Sequence, residues 1–168
     1  MGKADTAKQD GGGVIQAGAS APEFELKDQA GKPRRLSDYA GRWVVLFFYP
    51  RDNTPGCTAE ACDFRDQEQS LSDRGAVVLG ISPDSEASHG KFAEKFSLAF
   101  PLLADEGSVV CGAYGVWRER SMYGRRYMGV VRTTYLIDPR GRVAHRWDKV
   151  KVKGHVAEVL SKLDALRG

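Results

Sequence analysis

The chain has 168 residues, 42% apolar and 28% charged, with a formal net charge of +3. That is enough for one globular domain with a sizeable core, and too mild a charge to signal a nucleic-acid binder by itself. The longest apolar run, 43–49, is far too short to cross a bilayer, and three cysteines are an odd number for a disulfide scaffold.

Residues 1–17 carry a Gly triplet and mixed charges but no apolar stretch of the signal-peptide kind, so they are expected to be a flexible tail ahead of one domain over 18–168. A cytoplasmic protein is expected. Residues 24–26 and 33–36 read as a short hairpin turned at Ala30-Gly31-Lys32, and 37–39 as a single helical turn. Residues 43–49 show no alternation and read as a strand buried on both faces, as in a parallel sheet. Residues 58–73 read as a helix stopped near Gly75, 76–81 as a second buried strand, and 85–96 as a helix capped by Ser85. A short extended piece at 101–103 and a short helix at 108–114 follow. Residues 131–137 and 143–147 read as strands joined by the turn Asp138-Pro139-Arg140-Gly141. The last helix carries Val156, Val159, Leu160, Leu163 and Leu166 as one apolar stripe.

The order is βαβα, an excursion over 97–130, then ββα. It predicts an α/β thioredoxin-like fold, a central mixed sheet flanked by helices, with an N-terminal hairpin extension and an insertion before the third core strand. In that topology the strand at 131–137 runs antiparallel to 43–49, which points Arg132 into the corner that holds Cys57.

The chemistry gathers at 49–62. Pro50, Thr54 and Cys57 have the spacing P-x-x-x-T-x-x-C, and Cys62 follows five residues later. A cysteine at a strand-to-helix turn faces unpaired backbone N–H groups and the positive end of the helix dipole, both of which favour thiolate over thiol. A second thiol on the same helix suits a resolving role, although alone Cys62 would read equally as core. Thr54 either shapes the turn or brings a hydroxyl to the sulfur; Pro50 either ends the strand or walls the sulfur from water. Cys111, in an apolar segment, reads as core. Arg132 offers a fixed charge beside the thiolate. His89, Asp52 and Asp63 read as surface residues, and Glu60 stays open because it falls in the first turn near Cys57. The histidines are scattered and no C-x-x-C exists, which argues against zinc. Arg118, Arg120, Arg125, Arg126 and Arg132, with Trp117, Tyr123 and Tyr127 among them, read as a solvated loop plus one functional arginine, with nucleic-acid binding as the rival.

The stretch Phe48-Tyr49-Pro50 through Cys57 resembles the peroxiredoxin signature, and the pair Cys57/Cys62 resembles the peroxiredoxin Q, or bacterioferritin comigratory protein, subfamily. The likeness continues through Val78-Leu79-Gly80-Ile81-Ser82, Tyr114-Gly115-Val116-Trp117 and Arg132-Thr133-Thr134-Tyr135, with no departure at the catalytic positions. It implies a thiol peroxidase that reduces hydrogen peroxide and organic hydroperoxides with thioredoxin as electron donor. Cys57 is then the peroxidatic thiolate and Cys62 the resolving thiol that joins it in a disulfide. Thr54 and Arg132 hold the peroxide. Members with this pair are often monomers, and no metal, haem or flavin is implied. A thiol–disulfide oxidoreductase and a non-enzymatic redox switch remain as rivals.

Overall fold

In the computed structural model, which describes residues 15–168, seven strands form one sheet and two more form a separate ribbon. In chain order the elements are β1 (Glu25–Lys27), β2 (Pro33–Arg35), a 3-10 turn (Leu36–Tyr39), β3 (Trp43–Phe48), α1 (Pro55–Asp66), α2 (Glu68–Asp73), β4 (Ala76–Ser82), α3 (Glu86–Phe96) and β5 (Leu102–Ala104). There follow α4 (Val109–Ala113), β6 (Trp117–Met122), β7 (Arg125–Val130), β8 (Thr133–Ile137), β9 (Val143–Trp147) and α5 (His155–Arg167). The sheet order is β2-β1-β5-β4-β3-β8-β9. The β3, β4 and β5 strands run parallel, and β8 lies antiparallel to β3 on its other side. This is the expected thioredoxin-like arrangement. The N-terminal hairpin extends the sheet by pairing Lys27 with Ala104.

The apolar run of β3 divides between two cores because successive side chains alternate across the pleat. Val45, Phe47 and Tyr49 pack with α1, α2, α3 and α5, while Val44, Leu46 and Phe48 pack with Ile15, Phe24, Cys111, Tyr114 and Tyr135. Phe47 stacks on Phe64 with ring centroids 4.8 Å apart, which docks α1 on the sheet. Full burial of a side chain of that size contributes about 2–3 kcal/mol. Gly80 makes room for this ring: a Cβ there would lie 2.9 Å from Phe47 Cζ.

Several expectations need correction. The helix expected over 58–73 starts earlier, at Pro55, because proline at the first helical position has its φ preset and lacks only an N–H that would go unpaired. It then breaks at Gln67, whose N–H is shared between the Asp63 and Phe64 carbonyls. The presumed loop at 118–130 is the hairpin β6–β7, turned at Tyr123-Gly124 with φ of 53° and 78°. Such a turn normally advertises itself with Asn or Gly at both positions, and Tyr123 hides it. The last strand pair begins at Thr133, so Arg132 precedes β8 and is not part of it. On α5, Val156, Val159 and Leu163 are buried but Leu166 is 44% exposed, so the apolar stripe ends a turn early. Residues 1–14 of the expected tail lie outside the described residues. Ile15 is packed: its N–H donates to the Tyr135 hydroxyl at 3.0 Å and its carbonyl accepts from Arg146. Among the described residues, no helix is long and apolar enough to cross a membrane.

Candidate active site

The end of β3 delivers the chain into a loop, and Thr54, extended at φ −92° and ψ 156°, starts α1. Thr58 is the first to close a helical bond, donating to the Thr54 carbonyl at 2.8 Å. The N–H groups of Gly56 and Cys57 therefore have no acceptor within the helix. Cys57 lies in this first turn with its side chain in the core, 1% exposed.

Because β8 is antiparallel to β3, with Thr133 opposite Phe48, the residue before β8 arrives beside the end of β3. That residue is Arg132. Its Nη2 donates to Cys57 Sγ at 3.5 Å and its Nη1 to Glu60 Oε1 at 2.7 Å. Its backbone is pinned as well: its carbonyl accepts from the Val150 N–H at 2.9 Å, and Thr133 Oγ1 donates to the Val131 carbonyl at 2.8 Å. Gly56 leaves the guanidinium its space, since a Cβ there would sit 3.0 Å from Arg132 Nη2.

Glu60 is wholly buried, and its Oε2 has no hydrogen-bond partner among the described residues. Burial pushes its carboxyl up to about 7, against the pull of Arg132. Burial opposes the charge on Arg132 too, but Glu60 and Cys57 outweigh it and hold the guanidinium's proton more firmly than usual. Behind the site, burial and then the Arg132 charge press His155 down to about 4, and its Nε2 lies 2.8 Å from Thr134 Oγ1.

Of the residues singled out in the sequence, Cys57 and Arg132 meet directly. The Thr54 hydroxyl donates to the Arg51 carbonyl at 2.9 Å, the bond of a turn-shaping residue. Pro50 is half-buried at the end of β3. Cys62 is partly exposed on α1, and all three cysteines are unpaired. Cys111 is fully buried in the other core, where burial and then Asp105 drive its thiol far above the ordinary range. Glu60 is the partner that sequence reasoning left open; its signal was the i, i+3 spacing from Cys57, one helical turn.

Two residues read as surface are not. Asp52 is 7% exposed and His89 is completely buried, and with Asp84 they form a tight polar cluster beneath the loop. Their ligand atoms lie within 4.8 Å of one another, but hydrogen bonds already occupy them. The arginine cluster does not form one face. Arg118 turns to the Gly115 carbonyl and Asp148, Arg120 to the Val130 carbonyl, Arg126 to Glu119, and Arg132 into the site.

Comparison with known proteins agrees with this architecture. The profile of the AhpC/TSA family matches residues 17–146. Peroxiredoxin Bcp of Bacillus subtilis is 51% identical over 150 residues, covering 89% of this chain and 96% of its own length. Peroxiredoxin Bcp of Escherichia coli is 44% identical over 149 residues, 89% and 96% of the two lengths. Among solved structures, the bacterioferritin comigratory protein of Xanthomonas campestris, studied for its alkyl peroxide reduction activity, superposes with a TM-score of 0.86 at 39% identity, covering 91% of this chain and all of that one. With the family profile across most of its length and relatives at this level of identity, the chain belongs to the AhpC/TSA family, among the peroxiredoxins of the Bcp or peroxiredoxin Q kind.

Proposed function

We propose that this chain is a cytoplasmic, monomeric thiol peroxidase that reduces hydrogen peroxide and organic hydroperoxides, with Cys57 as the peroxidatic thiolate, Cys62 as the resolving thiol and thioredoxin or a similar dithiol as reductant. The observation that carries the reading is the Cys57 sulfur held at the open N-terminus of α1 with Arg132 Nη2 at 3.5 Å. The thiolate attacks one peroxide oxygen, the O–O bond breaks, and the other oxygen leaves as hydroxide or alkoxide and takes up a proton. Arg132 and the unpaired first-turn N–H groups can donate to the oxygens as negative charge moves along them. Thr54 shapes the turn that presents those donors, and Pro50 helps shield the sulfur from water. Cys57 becomes a sulfenic acid. The Cys62 thiol displaces its oxygen as water to give the disulfide, and the external dithiol returns both cysteines to thiols by exchange. No metal or organic cofactor enters this sequence.

The pairing demands movement. Residues five apart on a helix are about 7.5 Å apart along the axis and about 140° apart around it. Their Cα atoms are then roughly 8–9 Å apart, beyond the ~7 Å reach of a disulfide. The first turns of α1 must unwind after Cys57 is oxidised. Amide exchange over residues 54–66 should therefore be faster in the disulfide form than in the reduced form, a local opening and not global unfolding. Equal protection in both forms would remove the intramolecular disulfide from the reading.

The decisive experiment is peroxide turnover coupled to thioredoxin, with mass mapping of the oxidised cysteines. Cys57→Ser is expected to abolish turnover, since a serine hydroxyl is not ionised at neutral pH. Cys62→Ser is expected to keep the first oxidation and lose cycling. Turnover by Cys57→Ser, or stoichiometric oxidation of the wild type without repeated cycles, would defeat the peroxidase reading; the second result would favour a redox switch.

A further inference from the structure

The peroxide chemistry makes no use of the polar cluster beneath the loop. Asp52 stands five residues before Cys57. Its Oδ1 accepts from the Tyr49 hydroxyl at 2.6 Å. Its Oδ2 accepts from the Ser88 hydroxyl at 2.8 Å and lies 2.7 Å from His89 Nδ1. His89 Nε2 faces the Leu103 carbonyl at 3.0 Å. A carbonyl only accepts, so Nε2 carries a proton. Nδ1 shares a short hydrogen bond with Asp52 Oδ2 and also lies 3.4 Å from the Tyr49 hydroxyl. The result is a hydrogen-bonded His89–Asp52 pair with side chains 0% and 3% exposed. The Asp52 backbone N–H is held too, donating at 2.8 Å to Asp84 Oδ2, which also takes the Ser82 hydroxyl at 2.6 Å.

Asp52 is thereby fastened to the end of β3 through Tyr49, to α3 through Ser88 and His89, and to the β4–α3 connection through Asp84. Immediately after it, Asn53 turns the chain with a left-handed φ of 61°, a conformation asparagine adopts more readily than most residues. Thr54 and the Cys57 turn come next. At the far end of the segment, Phe64 is locked on Phe47. The stretch that must move for Cys62 to reach Cys57 is thus bounded by a ring stack on one side and by the Asp52–His89 pair on the other.

We infer that the Asp52–His89 pair is a catch: it holds residues 50–57 in the conformation that presents Cys57 to Arg132, and it lets go when the chain opens to form the disulfide. Asp52 and His89 are positioning residues that act through the loop. Their strength sets how long the Cys57 sulfenic acid remains beside Arg132, exposed to a second peroxide, before Cys62 captures it. This rests on the assignment of Cys57 as the peroxidatic thiol.

The test is the double variant Asp52→Ala/His89→Leu, which removes both partners together and so leaves neither buried without the other. Wild type and variant are oxidised with a graded excess of hydrogen peroxide without reductant. Disulfide and Cys57 sulfinic acid are quantified by mass spectrometry, and disulfide formation is timed by stopped-flow fluorescence. The variant is expected to form the disulfide at least about threefold faster, to accumulate correspondingly less sulfinic acid and to undergo the first oxidation more slowly, as a shift toward the open population requires. A merely structural pair would lower the urea midpoint without changing the partition, and an unchanged partition overturns the catch. Should the variant not fold, the wild type supplies the answer through the imidazole nitrogen resonances of His89. These are expected to report a changed environment in the disulfide form relative to the reduced form; identical spectra overturn the catch. A wild type that forms neither disulfide nor sulfinic acid on Cys57 overturns the peroxidatic assignment itself, a result distinguishable from an unchanged partition.

Discussion

Two pairs of titratable side chains flank the Cys57 loop, and they differ in how completely their polar atoms are satisfied. The Asp52–His89 pair has a partner for both carboxylate oxygens and both ring nitrogens. The Arg132–Glu60 pair leaves Glu60 Oε2 with none among the described residues and keeps the guanidinium 17% exposed. A fully satisfied cluster has nothing to offer an incoming molecule and serves to fix geometry. An incompletely satisfied one retains donor capacity and an unsettled proton, which is what a reacting oxygen needs.

The contrast is most open to attack through pH. Glu60 has a folded value of about 7 against an ordinary 4.5, so the native state holds the extra proton and stability falls as pH rises from about 4.5 to about 7. His155 has a folded value of about 4 against 6.5, so the unfolded state holds the extra proton and stability rises from about pH 4 to about 6.5. The two trends oppose each other and nearly cancel in the wild type. Glu60→Gln leaves His155 alone, and urea unfolding across that range should then show a gain on the order of 3 kcal/mol with rising pH that the wild type lacks. Parallel profiles would mean that Glu60 ionises as easily in the folded protein as outside it, and the two pairs would no longer differ.

Arg132→Ala sharpens the same comparison from the kinetic side. It should slow the peroxide step at least roughly tenfold, about 1.4 kcal/mol of barrier, in stopped-flow oxidation. Arg132→Lys should be impaired too, because an ammonium lacks the planar fork that reaches Cys57 and Glu60 together. Wild-type kinetics in both variants would make this pair as structural as the other. Cys111→Ala, in the opposite core, should cost only about 1 kcal/mol of stability and leave the oxidation rates unchanged. The smallest effect belongs to Arg126→Ala. Its pair with Glu119, 3.4 Å long between side chains 80% and 56% exposed, should change stability by less than about 0.5 kcal/mol.

The corner at Cys57 was legible in the sequence because its logic is local or topological. The P-x-x-x-T-x-x-C spacing fixes the turn, and the uninterrupted apolar runs at β3 and β4 identify central parallel strands. The antiparallel return of β8 then brings Arg132 alongside. The Asp52–His89 pair was not legible, since its members are 37 residues apart and each, taken singly, looks like an ordinary surface charge. Only the joint placement of the β3 end and α3 brings them into contact and buries them. The β6–β7 hairpin escaped notice for a different reason: a tyrosine occupies a left-handed turn position, so the usual punctuation is missing. The early start of α1 was readable in principle from Thr54-Pro55, a cap followed by the residue that best begins a helix.

The sheet itself has a consequence for electron counting. Cys57 packs on one face of β3 and Cys111 on the other. A chain with three thiols would ordinarily risk a stray partner for any sulfenic acid it makes, ending in scrambled or cross-linked products. Here a layer of hydrogen-bonded backbone stands between them. On the proposed cycle, oxidising equivalents that enter on the α1 face are kept from Cys111 by that layer, and the third sulfur is a spectator.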